Sequence, residues 1–360
     1  MIFIKVRINV KWEQRKLKDI SIIIAGGDKN KDKLKKIGNY PVIANAVNSD
    51  GVVGYYDDSY RIEAPAITVT GRGDIGHATP RYLNFTPVVR LLALKTKHNV
   101  LFLANAINKI TIFNESTGVP QLTKPQLSKY SVKVTKLNEE KKISKIINTL
   151  NKLVTLQQRK LEQFKQLKKV MLQYLLTTEK KSAPLIRNKN YNNKWDTTTF
   201  SKLLNYERPE NYIVTNTNYR KNGIPVLTAN KSFILGYTNE SNVYNKGEAI
   251  IFDDFTLENK FVNFPFMIKS SAIKILTSKV NYSLYFIFQL LQHTKFIKEG
   301  HARHYISVVQ KQIVKIPPSY EEQESISDTF SRIQSLIKLQ QNKIDQHTTL
   351  KKYLLQKMFI

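Results

Sequence analysis

Two long stretches of this chain place apolar residues at alternating spacings of three and four. Between Glu139 and Leu176 they fall at Ile147, Leu150, Val154, Leu161, Phe164 and Met171, with no glycine or proline in the interval. Shifted by 183 residues, the same stripe reads Phe330, Ile333, Ile337, Ile344, His347 and Leu354. That spacing keeps one stripe on one face of a helix and leaves the other faces polar. Nearly forty residues at a rise of about 1.5 Å each predict a rod of roughly 55–60 Å, and such a rod needs a partner along its length. The two stretches are expected to pair with each other in antiparallel fashion. A homodimeric coiled coil between chains is the alternative. Gln157 and its counterpart Gln340 interrupt the stripe; they set the register if their amides bond across the pair, or else lie at the edge of the face.

The same shift superimposes the two tryptophans, Trp12 and Trp195, and the Leu-Gln-Gln triplets at 156–158 and 339–341. Within a residue or so it also matches Pro41-Val42-Ile43 to Pro225-Val226-Leu227 and Gly54-Tyr55 to Gly236-Tyr237. A period this long marks a duplicated domain, since solenoid units run to a few tens of residues. Each half opens on a short amphipathic segment after its tryptophan, WEQRKLKDI or WDTTTFSKL. Runs such as Ala66-Ile67-Thr68-Val69-Thr70 and Ala249-Ile250-Ile251-Phe252 then predict buried strands. Apolar, helix-like stretches follow at Val89 to Ala106 and Ser283 to Phe296. The expected fold is α+β, or mixed α/β: two similar globular domains, 1–138 and 182–318, separated by helices at 139–181 and 319–360, with an internal pseudo-two-fold repeat. The lead-in before Trp12 is shorter than that before Trp195, where Ala183-Pro184-Leu185-Ile186-Arg187 stands, which puts the edge of the first domain in question. Replacement of Phe164 by His347 predicts a weaker or pH-sensitive end of the helix pair.

Charge adds a partner class to this picture. Lys and Arg total 57 against 28 Asp and Glu, a net +29 that selects polyanions, nucleic acid first. The bodies hold most of the excess, 22 basic against 10 acidic groups in 1–138 and 18 against 9 in 182–318, whereas 319–360 carries 6 and 5. Cysteine is absent, which excludes disulfides and thiolate metal sites and fits a reducing cytoplasm. The N-terminal run MIFIKVRINVKW is broken by Lys5, Arg7 and Lys11 and does not read as a secretion signal. The apolar run Leu284 to Leu291 is too short to span a bilayer.

Several motifs have competing readings. GRGDIG at Gly71, Gly73 and Gly76 matches a dinucleotide fingerprint, but that site needs a helix opening on the glycines, and Thr79-Pro80 follows. A tight strand-to-strand turn is expected instead, projecting Arg72 and His77 toward phosphates or bases. Ile316-Pro317-Pro318-Ser319-Tyr320 lacks the acid or amide of an amino-methyltransferase motif. It reads as the start of the last helix, with Ser319 as N-cap and Glu322 completing a capping box. Asp253-Asp254 with Glu258-Asn259-Lys260 has the letters of a metal-dependent nuclease core at too short a separation. His301 and His304 have metal-ligand spacing without a third ligand, and with Arg303 and Tyr305 they suggest a DNA-facing loop. No phosphate-binding Gly-Lys-Ser/Thr loop occurs.

Taken together, the Trp12–Leu17 sequence W-E-x-R-K-L, the GRGDIG turn after a strand and the two helical tails resemble the DNA specificity subunit of type I restriction–modification systems. The resemblance runs over essentially the whole chain. It implies two target recognition domains, each reading half of a split DNA sequence, held apart by an antiparallel helix pair that sets the unread spacer. It implies a non-catalytic chain that binds no cofactor. Partner modification subunits, two in number, would use S-adenosylmethionine to methylate adenine, and restriction subunits would use ATP with magnesium. Candidate DNA contacts are Lys29, Lys31, Arg72, His77 and Arg81 in the first domain and Arg220, Lys221, Lys269, Arg303, His304 and Tyr305 in the second. Two other classes are a stand-alone metal-dependent endonuclease using Asp254 and Glu258, and a non-specific basic coiled-coil scaffold.

Overall fold

The computed structural model describes residues 11–46, 48–112, 121–177, 181–229, 232–297 and 303–359. It divides into two units, Met1–Leu156 with Ile344–Ile360, and Gln157–Lys343.

The body of the first unit opens with β1 (Glu13–Lys16), a helical turn α1 (Leu17–Ile20) and β2 (Ser21–Ala25). Then come β3 (Tyr40–Ile43), β4 (Val52–Tyr56), β5 (Ala66–Val69), β6 (Ala78–Arg81), β7 (Thr86–Pro87) and β8 (Leu92–Thr96). Helix α2 (Val100–Ile107), helix α3 (Lys124–Lys129) and strand β9 (Ser131–Val134) complete the body, and α4 (Leu137–Leu175) follows. The strands form a four-stranded sheet β2-β8-β5-β6, a three-stranded sheet β4-β3-β7 and the ribbon β1-β9.

The second unit repeats this arrangement with β10 (Asp196–Thr199), α5 (Phe200–Leu203), β11 (Leu204–Glu207), β12 (Ile224–Leu227), β13 (Ile234–Thr238), β14 (Ala249–Asp253), β15 (Asn259–Val262), β16 (Met267–Ile268) and β17 (Ile273–Ser278). It continues through α6 (Leu284–His293) and β18 (Ile313–Ile316) into α7 (Tyr320–Met358). Its sheets are β11-β17-β14-β15, β13-β12-β16 and β10-β18. Even the irregularities match: β3 slips register against β4 between Val42 and Ile43, and β12 slips against β13 between Val226 and Leu227.

The central strands explain the core. Every residue of Ala66–Val69 and of Ala249–Asp253 is buried, as expected of β-branched runs covered on both faces. In the first unit Leu17, Ile67, Leu94, Phe102 and Leu103 are fully buried around them, and in the second Phe200, Ile250, Phe252, Phe286 and Phe330. The expected helix-like stretch from Val89 to Ala106 resolves differently. Leu92–Thr96 is the strand beside β5, and the helix begins only at Val100 behind an Asn99 cap that accepts from Leu101 and Phe102 N–H. A continuous apolar run carries no periodicity to separate buried strand from buried helix, and the asparagine marks the break.

Each long helix is locked to its own body at the same place. In the first unit Glu140 accepts from the Asn99 N–H at 3.0 Å, and Ser144 donates to the Asn99 side chain at 2.6 Å. In the second, Gln323 accepts from the Ser283 N–H at 3.0 Å, and Ser327 meets the Ser283 hydroxyl at 3.0 Å. The capping residue of the body helix is thus gripped by the first turns of the long helix in both copies. Glu140 also holds the ring of His98 at 2.7 Å. Ser319 does cap α7, accepting from Glu322 N–H at 3.2 Å, but the capping box is only half formed. The Glu322 carboxylate turns inward to a bidentate pair with Arg187 at 2.7 and 2.8 Å and to the Trp195 indole N–H at 3.1 Å.

The stripe residues lie on the buried side of their helices, with Ile147, Leu161, Phe330, Ile333 and Ile344 buried. In the second unit the portions of α4 and α7 run antiparallel. Gln157 meets Gln340, and Lys168, further along α4, meets Gln334, further back on α7, at 3.1 Å. Burial holds the Lys168 amine below its usual pKa, with Lys260 adding repulsion.

Candidate nucleic-acid interface

The GRGDIG segment closes a hairpin rather than opening a helix. β5 and β6 pair antiparallel on either side of it, and Gly73 and Gly76 take φ of +75° and +82°, a region that favours glycine. Thr70 knits the turn: its hydroxyl accepts from His77 N–H at 2.9 Å and donates to the Asp74 carbonyl. Arg72 is exposed on this turn and His77 is half-buried beside it. Arg81, at the end of β6, is half-buried and donates from Nε to the Thr68 hydroxyl at 2.9 Å; burial lowers its pKa. Strand β6 rather than a helix follows the glycines in the chain, so the strand–turn–helix order of a dinucleotide fingerprint is not met.

Lys29 is half-buried and Lys31 exposed in the loop after β2. Asn30 between them is pinned to the Tyr56 hydroxyl at 2.7 Å and turns the chain by accepting from Asp32 and Lys33 N–H. The loop returns as Leu34-Lys35-Lys36 laid along the Gly54-Tyr55 strand, with Lys35 and Tyr55 exchanging backbone bonds at 2.9 Å. A Cβ on Gly54 would stand 2.6 Å from Leu34, so glycine is what lets the loop lie flat.

The second unit builds the same seat. Tyr219-Arg220-Lys221 lies on Gly236-Tyr237, Arg220 and Tyr237 exchange backbone bonds at 2.7 and 3.1 Å, and a Cβ on Gly236 would meet Tyr219 at 2.4 Å. The residue behind each seat differs. Lys35 forms a short ion pair with Asp57, whereas Arg220 reaches Asn239, two places after Tyr237 as Asp57 is two after Tyr55. The first seat therefore neutralises one of its two cations and the second keeps both. Lys35 and Lys36 are the counterparts of Arg220 and Lys221, a correspondence hidden in sequence because the loops between the repeats differ in length. The shared Gly-Tyr dipeptide was the available signal.

Glu240 organises the approach to Arg220. Its carboxylate accepts from Thr215 and Asn216 N–H at 3.0 and 2.9 Å, and these bonds hold its pKa below the usual carboxylate range. Lys269 is exposed just beyond β16, its N–H bonded to the Leu227 carbonyl at 3.1 Å.

The segment after α6 departs from expectation. Arg303 is exposed, but His304 and Tyr305 are fully buried rather than projecting from a surface loop. The His304 and Tyr305 N–H groups bond to the Asp254 carbonyl and carboxylate at 3.0 and 2.8 Å, and the Tyr305 ring packs on Tyr206 and Phe252. Burial raises the pKa of the Tyr305 hydroxyl. Asp254 in turn faces the buried Lys274 at 3.5 Å. The polar letters that suggested a DNA loop are an interior network anchoring one irregular helical turn, Tyr305–Val309. His301 lies outside the described residues.

The same geometry bears on the nuclease reading. Asp253 spends its carboxylate on the N–H groups of Phe255 and Thr256, Asp254 is committed to Tyr305 and Lys274, and Glu258 is exposed, 3.8 Å from Lys260. Among the described residues no group of three or more His, Asp or Glu side chains could hold a metal ion.

Two basic bodies of one topology, each offering a glycine-seated basic loop, make a duplicated cationic scaffold. The chain belongs to the family of the type I restriction modification DNA specificity domain, which matches residues 9–166 and again 185–347. It is 39% identical over 136 residues to the type I restriction enzyme EcoR124I/EcoR124II specificity subunit of Escherichia coli, covering 35% of this chain and 33% of that one. It is 32% identical over 141 residues to the putative type I specificity subunit S.MpnORF507P of Mycoplasma pneumoniae, covering 38% of this chain and 39% of that one. These alignments thus span about a third of each relative. The crystal structure of a type I system S subunit from M. genitalium superimposes with a TM-score of 0.71 at 14% identity, over 99% of this chain and 98% of that one, so the fold is shared. No helix of the described residues is long and apolar enough to cross a membrane.

Proposed function

We propose that this chain is the specificity subunit of a cytoplasmic type I restriction–modification complex. In this reading each body recognises one half of a split duplex target, and the chain itself makes or breaks no covalent bond. Modification subunits, two in number, would bring S-adenosylmethionine and methylate adenine, and restriction subunits would bring ATP and magnesium. The observation that carries the reading is the duplicated basic seat, Leu34-Lys35-Lys36 on Gly54-Tyr55 and Tyr219-Arg220-Lys221 on Gly236-Tyr237. Two copies of one cationic device, differing in the side chains they present, suit a protein that meets two different sequences with the same frame. Arg72, Lys31, Lys269 and Arg303 are exposed cations of their own units, and His77, Arg81 and Lys29 are half-buried.

The test is expression with a modification subunit in a methylation-free host, followed by mapping of methylated adenines by single-molecule sequencing. A split motif with a fixed gap is expected, and substitution of Arg220 should change recognition in one half only. A continuous palindromic motif would overturn the two-domain reading.

A further inference from the structure

The second unit contains a cleft of about 700 Å³ whose charge runs against the rest of the molecule. In a chain of net charge +29 it is lined by Glu207, Glu248, Glu324 and Asp328 with a single cation, Lys246. Lys246 is already spent, bonded to Glu207 at 2.7 Å. Among the described residues no basic side chain lies within ion-pair distance of Glu248, Glu324 or Asp328. Burial, with repulsion from the nearby Glu324 added, raises the pKa of Glu248. Tyr244 is an independent observation that points to a ligand. It lines the cleft, it is 1% exposed, and its hydroxyl has no hydrogen-bond partner. A buried hydroxyl left unpaired costs free energy, whereas Ile62, at the matching place in the first unit, would have cost none.

The comparison between copies removes the bland explanation that this is what the fold demands. Sheet registers equate Glu207 with Ile24 and Glu248 with Pro65, and the helix repeat equates Glu324 with Lys141 and Asp328 with Lys145. The framework is retained while the carboxylates and the hydroxyl are present in one copy only. Duplex DNA is excluded as occupant by sign, and the carboxylates do not converge as a metal site requires.

We propose that this cleft is a docking site for a lysine- or arginine-bearing segment of a partner polypeptide, and that the first unit has no equivalent. The cleft offers carboxylates spread along a wall formed by α7 and the sheet edge, as a run of basic side chains needs, and a phenol oxygen able to accept from one of them. Tyr285 and Tyr320 add aromatic surface to the same wall. The proposal uses no DNA contact, so it stands or falls separately from the half-site reading.

The test is fluorescence anisotropy of the full chain with a labelled Gly-Arg-Lys-Arg-Lys-Gly peptide, against the same peptide with glutamine at the basic positions. Saturable binding of the basic peptide is expected. The double substitution Glu324→Lys/Asp328→Lys, which copies the first unit, should weaken it at least tenfold. The near-isosteric Glu324→Gln/Asp328→Asn should weaken it in the same direction with the circular dichroism spectrum unchanged. Glu321→Lys, which changes the charge of the same helix by as much as Glu324→Gln/Asp328→Asn does but outside the cleft, should alter it less than twofold. Failure of the basic peptide to outbind its glutamine version, or equal losses in the Glu321 and cleft variants, overturns the proposal.

Discussion

Gln340 donates its side-chain amide to the backbone carbonyl of Gln157 at 3.0 Å and to the Gln157 side-chain oxygen, so a residue touches its own duplicate 183 positions earlier. Gln340 is 3% exposed between the apolar stripe residues Ile337 and Ile344. A buried amide is satisfied there at one alignment of the helices and stranded at neighbouring ones. The bond therefore selects register at some cost in stability, as polar residues do in coiled-coil cores.

Replacing Gln340 should separate those two effects. Gln340→Ala leaves a gap and an unpaired Gln157, and should cost about 1–2 kcal/mol in urea unfolding. Gln340→Leu restores apolar packing and should leave stability near wild type while relaxing the register. In the methylation map it should broaden the gap between half-sites. A gap as sharp as wild type in the Leu variant would mean that register is set elsewhere.

Glu322 predicts a large asymmetry between copies. Its carboxylate holds both Arg187 and Trp195, with Arg187 14% and Glu322 3% exposed by side chain. Glu139, its counterpart, is bonded to the exposed Lys142. Truncating one partner of a buried pair leaves the other charged and dry, so Glu322→Ala should cost about 3–5 kcal/mol. Glu139→Ala should cost less than about 1 kcal/mol. Denaturant melts of the two variants decide the matter, and equal losses would contradict it.

Asp254 and Lys274 give a test of the nuclease alternative. Both are almost completely buried, and Asp254 also accepts from Tyr305 N–H. Asp254→Ala should therefore lower stability by about 3–5 kcal/mol through the stranded lysine. Magnesium-dependent cutting by the isolated chain, lost in Glu258→Ala with stability intact, would restore the enzyme reading.

These cases show which parts of the chain were legible and which were not. Duplication, buried strands and the helical stripes were readable because periodicity and burial are properties of consecutive residues. The half-formed capping box was not, because Glu322 answers to Arg187, 135 positions away, rather than to its own helix end. His304 and Tyr305 were placed outside for a similar reason: their polar letters are satisfied by Asp254, some fifty residues upstream. Lys35 and Lys36 are not legible in the sequence because their equivalence to Arg220 and Lys221 is fixed by cross-strand bonds to a shared Gly-Tyr pair. Sequence spacing does not preserve it.

Glu240 should make the Arg220 loop acid-sensitive. Backbone donation from Asn216 and Thr215 lowers its pKa from the ordinary 4.5, so the charged form is the one the fold favours. The stabilisation is fully present above that ordinary value and is lost as pH falls through the lowered one. Measured against the intrinsic exchange rate at each pH, the Thr215 and Asn216 amides should be protected at neutral pH and lose that protection only in the acid range below 4.5. In Glu240→Ala they should be unprotected throughout, and duplex affinity should fall because the segment leading to Arg220 is no longer held. Protection unchanged in that variant would remove Glu240 from the argument.

The partners of the two seats predict unequal responses to charge substitution. Lys35 is engaged by Asp57, which raises its pKa and offsets its charge, whereas Arg220 faces the neutral Asn239. Each uncompensated cation that lies against phosphate displaces about one counterion. Arg220→Ala should then weaken duplex binding several-fold and reduce the slope of log affinity against log salt by about one. Lys35→Ala should do less, because it discards a charge already half spent and releases Asp57 to repel the backbone only through solvent. Asp57→Asn copies the second seat into the first: it should strengthen binding and steepen the slope, most visibly at low salt where screening is weakest. Salt titrations of the three variants on one duplex measure all of this directly. A Lys35→Ala loss larger than that of Arg220→Ala would show that the Asp57 pair orients the lysine toward DNA instead of neutralising it.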